Sequence, residues 1–97
     1  MATLHTPHVA TTTAITRTFA PNCAAASSGI FQVSNTDSGT ATVTLKGRLS
    51  DDHTYAEVKV LTVTGAENQK AAVVTLFPDM TITTAGSSIS VTASVFA

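Results

Sequence analysis

The residues able to bind a metal or attack a substrate are few and widely spaced. His5-Thr-Pro-His8 sets two imidazoles three residues apart, and His53 lies far downstream. Zinc takes nitrogen and sulfur donors in tetrahedral arrays. Here the first histidine pair sits in an extended, proline-containing segment, with no second ligand pair at a recognisable spacing, and Cys23 has no CxxC partner. Asp37, Asp51, Asp52 and Asp79 offer oxygen donors for calcium, but the DxDxDG loop pattern is absent. Turn carboxylates ordinarily bond to nearby backbone N–H groups. Cys23 is flanked by Asn22 and three alanines, which supply no cation or helix start to lower its pKa, so a small inert thiol is expected. No paired acid and base, or nucleophile and base, can be assembled from these residues. The expectation is a chain that is not an enzyme and carries no cofactor or metal.

Sugar-binding β-domains stack their ligand on exposed rings. Tyr55 and Phe96 are the candidates here, while Phe19, Phe31 and Phe77 are better used in a core.

The elements that must position these residues read as strands. From Thr40 to Leu49, Ala41, Val43, Leu45, Gly47 and Leu49 alternate with Thr40, Thr42, Thr44, Lys46 and Arg48. Successive strand side chains point to opposite faces, so this is a strand with one buried and one wet side. Ile89, Val91, Ala93 and Val95 repeat the pattern near the C-terminus. Between Tyr55 and Thr64 the apolar phase changes, from Ala56, Val58 and Val60 to Leu61 and Val63. A β-bulge near Val60-Leu61, or a strand crossing between sheets, would keep both sets inward. Ile30 to Val33 reads as a short strand, Ala71 to Phe77 as a central strand and Met80 to Thr83 as another short one. The turn clusters are Ser34–Gly39, Ser50–His53 and Gly86–Ser88, with a polar loop over Gly65–Lys70. The expected fold is all-β: an antiparallel β-sandwich or small barrel of six to seven short strands. Residues 1–18 are expected as an N-terminal arm, with room for a first strand, and residues 19–97 as the single domain.

Composition narrows the function classes. The chain has 97 residues, of which 19 are threonine and only 11% are charged, against about 25% in an ordinary soluble domain. Threonine suits the solvated face of a strand. A largely neutral surface suits packing against copies of itself or a scaffold, because few charges must be desolvated. The five Lys and Arg residues are scattered and the net charge is −1, so nucleic acid is not an expected partner. No apolar run reaches membrane-spanning length, and the N-terminus lacks the basic and apolar regions of a signal peptide. One cysteine makes no internal disulfide, in keeping with synthesis in a reducing cytoplasm.

The run GRLSDDHTYAEVKV, followed by VVTLFPDMTITTAG and a closing strand, resembles small all-β structural proteins of tailed bacteriophages. In these a VTLxGRLS-type strand meets a turn and a strand led by an aromatic, and an LFPxM segment precedes the final hairpin. Here the aromatic is Tyr55 rather than Trp, and the N-terminus is longer and Thr-rich. The resemblance spans Gly29 to Val95. It implies a virion component made in the host cytoplasm. The most direct form is a capsid decoration or cement protein on the head surface, bound to the major capsid protein and to copies of itself as a trimer. The alternative is a receptor- or carbohydrate-binding module on a fibre, spike or tail. From the residues themselves, Leu4, His5, Pro7, His8 and Val9 of the arm, with Tyr55 and Phe96, are the candidate partner contacts. The arm would act by adding a strand to a partner's sheet edge.

Overall fold

The computed structural model describes residues 8–10, 15–19, 27–65 and 68–96, with side chains described from residue 27 onward. Six strands carry the core. They are β3 (Ser28–Asn35), β4 (Thr40–Arg48), β5 (Ala56–Thr64), β6 (Gln69–Thr75), β7 (Asp79–Ala85) and β8 (Val91–Phe96). They form two three-stranded antiparallel sheets, β8-β3-β6 and β7-β4-β5, packed as a sandwich, as the periodicity predicts. Each sheet is widened by one short strand from the N-terminal segment, β1 (His8–Ala10) beside β8 and β2 (Ile15–Phe19) beside β7. The orders β1-β8-β3-β6 and β2-β7-β4-β5, with every pair antiparallel, are those of a jelly roll. Of the connections among β3 to β8, only β4–β5 stays within one sheet; the others cross the sandwich.

The alternation in β4 behaves as its sequence requires. Ala41, Val43, Leu45 and Gly47 are buried, and the threonines and cations between them lie on the outer face. Phe31 and Val33 of β3, Leu61 and Val63 of β5, Met80 and Ile82 of β7, and Ile89, Val91, Ala93 and Val95 close the core from the other directions. Burying each of the larger of these is worth about 1.5–3 kcal/mol. Alternation puts Gly47 on the core-facing row, where the Phe77 ring covers it and takes the space of a side chain. A Cβ there would sit 2.6 Å from Phe77 Cδ1.

Three local expectations are corrected. The bulge falls at Val58 rather than Val60-Leu61: Leu45 pairs with Lys59 and Lys46 with Glu57, so Val58 is the extra residue. The phase change keeps Leu61 and Val63 inward and leaves Val60 exposed. The apolar run from Ala71 is not central; among the described residues β6 pairs only with β3 and forms an edge. Leu49 continues the β4 alternation in sequence but is 59% exposed, because the strand ends at Arg48.

Candidate functional site

Two regions of the sandwich combine accessible surface with defined chemistry. The first is the outer face of β8-β3-β6. Register places Phe96, Ile30 and Val73 in one cross-strand row, then Ser94, Gln32 and Ala71, then Thr92, Ser34 and Gln69. No charged residue falls in these rows. Gln32 Nε2 donates to Gln69 Oε1 at 3.1 Å and Ser34 Oγ to the Thr92 carbonyl at 3.5 Å, so part of the polar complement is already paired. A shallow depression of about 170 Å³ runs over Gln32, Ser34, Thr92, Ser94 and Phe96. The Phe96–Ile30–Val73 row gives the face an apolar margin, and Val73 is 75% exposed.

The second region is the end of the sandwich where β4 stops and β7 begins. Arg48 Nε donates to Asp79 Oδ2 at 2.6 Å, and the Tyr55 hydroxyl donates to Asp79 Oδ1 at 2.7 Å. The guanidinium lies 4.3 Å from the Tyr55 ring centroid, a cation–π contact. Arg48 Nη1 also donates to the His53 carbonyl and Nη2 reaches Asp51, which ties down the loop between β4 and β5. The Tyr55 and Arg48 hydrogen bonds hold the Asp79 carboxyl below its ordinary pKa. The same bond to Asp79 raises the Tyr55 hydroxyl, and the Asp79 bond likewise raises Arg48. These groups satisfy one another, which makes the cluster a clamp on the hairpin. Beside it Gly47, Leu49, His53 and Phe77 line a depression of about 230 Å³.

The candidate contacts are divided by this geometry. Leu4, His5 and Pro7 lie outside the described residues, as does Cys23. His8 and Val9 belong to β1, opposite Ala93 and Thr92 at the margin of the first face. Phe96 lies on that same face, opposite Ile30. Tyr55 immediately precedes β5 of the other sheet and is half-buried, its hydroxyl and one ring face already engaged by Asp79 and Arg48. Among the described residues, no three His, Cys, Asp or Glu side chains converge as a metal site would need. Asp37 instead accepts from the Ser38 N–H at 2.7 Å, the turn role expected of it.

Sequence reasoning missed the partnership of Arg48 with Asp79, which are brought together across 31 residues. It also missed Asn35, a fully buried amide at the opposite end. Asn35 Nδ2 donates to the carbonyls of Gly39 and Val63, and its Oδ1 accepts from the N–H groups of Asp37 and Ser90. The only local signal was an Asn within the turn cluster Ser34–Gly39, a residue type whose side chain commonly bonds the backbone two residues ahead.

Comparison with known proteins found no matching family model, no matching curated protein and no matching solved structure.

Proposed function

We propose that this chain is a non-enzymatic structural protein of a virion, a head decoration or cement protein. It binds the shell formed by the major capsid protein and associates with copies of itself. The observation that carries this is the charge-free outer face of β8-β3-β6, with its apolar margin of Phe96, Ile30 and Val73. Charges are costly to desolvate and are depleted from interface cores, whereas this face can be covered at low cost. The resemblance of Gly29–Val95 to small phage structural proteins supplies the kind of assembly. Many copies on a symmetric shell gain through avidity, so a weak contact at each copy suffices.

Quantitative mass spectrometry of purified virions tests this. The expected result is a copy number approaching that of the major capsid protein. A handful of copies per particle would favour the receptor- or carbohydrate-binding module on a fibre, spike or tail. Absence from particles would refute the virion assignment. Gln32→Lys with Thr92→Lys, placing two cations on the face, is expected to lower occupancy on capsids without loss of folding.

A further inference from the structure

The two sheet edges formed by β5 and β6 are built in opposite ways. β5 is interrupted by the bulge at Val58 and carries Glu57 and Lys59 on either side of it. Bulges and edge charges are devices that prevent strand addition. β6 has no bulge in its pairing with β3 and no proline, and its one charge, Lys70, lies near its start. Its backbone polarity follows from two hydrogen bonds at its ends. Leu76 N–H donates to the Ser27 carbonyl and Asn35 N–H to the Asn68 carbonyl, both at 2.7 Å. Antiparallel pairs alternate between bonded and non-bonded. Even-numbered residues of β6 therefore turn their backbone groups toward β3. Gln69, Ala71, Val73 and Thr75 turn theirs toward the edge, where β6 has no neighbouring strand among the described residues. These four side chains are uncharged and lie on the outer face described above.

We propose that the β6 edge pairs with β6 of a second copy, antiparallel about a two-fold axis at Ala72, joining two sandwiches through one continuous sheet. This rests on the self-association in the proposed function and specifies its surface and symmetry. The strand is self-complementary in that register. Gln69 faces Thr75 of the second copy, Ala71 faces Val73, and Lys70 faces Val74, so no like charges meet. The axis at Ala72 is the centre of Gln69–Thr75 and lets all four edge residues exchange hydrogen bonds with the second copy. Val73, 75% exposed in the single chain, becomes covered. A two-fold dimer takes the place of the trimer that the phage resemblance implies.

Sedimentation velocity of the full chain across a concentration series tests the proposal. A monomer–dimer equilibrium is expected; a monomer at every concentration, or a trimer, would overturn it. Val73→Pro removes an edge-facing N–H while leaving the ladder to β3 intact. It is expected to weaken the dimer about thirty-fold, since both copies lose a bond. Val73→Lys provides a second variant should the proline disturb folding, which circular dichroism and thermal melting would report. Dimers unaffected by the folded variants would overturn the proposal. For the register, Ala72→Cys in a Cys23→Ser background places two thiols across a non-bonded pair about 4.5 Å apart at Cα, within disulfide range. A reducible dimer on oxidation is expected, and its absence would overturn the axis at Ala72. These measurements need no virion, so their failure leaves the decoration assignment standing, and absence from virions leaves the dimer standing.

Discussion

Replacing Asn35 with alanine should cost this protein a large fraction of its stability. The side chain is fully buried and makes four hydrogen bonds, at 2.9–3.1 Å, to backbone groups of the β3–β4 loop, β5 and the segment before β8. Each bond is worth about 1 kcal/mol net, and orphaned groups that water cannot reach cost more. The sum is about 4 kcal/mol, against a total of about 5–15 kcal/mol for a domain of this size. The melting temperature should fall by about 20 °C. Urea unfolding followed by circular dichroism should show a lower midpoint with an unchanged slope. Asn35→Asp sharpens the test. It keeps the acceptor for Asp37 and Ser90 but turns an oxygen toward the carbonyls of Gly39 and Val63. Burial and those carbonyls raise the pKa of the new carboxyl. The variant should be least stable at neutral pH and regain stability as pH falls through that raised value, because the protonated acid can donate one bond. A cost below about 1 kcal/mol for Asn35→Ala, together with a pH-independent Asn35→Asp deficit, would refute the assignment of Asn35 as the tie between these segments.

Gly39→Ala should destabilise by more than about 2 kcal/mol in the same urea assay, because a Cβ there would lie 2.0 Å from the Ser87 carbonyl oxygen, which is backbone and cannot move aside. Asp79 has its pKa depressed by Tyr55 and Arg48, so its contribution to stability is present above its ordinary value and is lost as pH falls through the depressed one. Asp79→Asn should therefore flatten the acid limb of the stability–pH curve, and an unchanged acid midpoint would count against the clamp. Tyr55 is shifted the opposite way, so its share persists below its ordinary value and disappears as pH rises through the raised one. Tyr55→Phe should remove that alkaline loss, as read by thermal melts above about pH 10. Deleting residues 1–7 should reduce binding to purified capsids while leaving the melting temperature unchanged; full occupancy would remove the arm from the contact.

The sequence by itself determined what is local to each strand. Alternation in β4 and β8 identified which side chains face the core, and Val43, Leu45, Val91 and Val95 are all fully buried. Side-chain direction in a strand depends only on the residue's own position, so periodicity reveals it without knowledge of the neighbours. The threonine-rich outer face of β4 follows from the same rule.

Tertiary structure alone decided which strands are neighbours. The apolar run of β6 suits a centre or an edge equally, and its pairing with β3 alone among the described residues makes it an edge. The bulge at Val58 is a mismatch between two strands, so no property of β5 alone locates it. The same holds for the candidate surfaces. Phe96, Ile30 and Val73 come from three strands, and Arg48 meets Asp79 across 31 residues. Strand connections that repeatedly cross the sandwich bring such residues together. The pairing they impose is long-range, and so local periodicity carries no record of it.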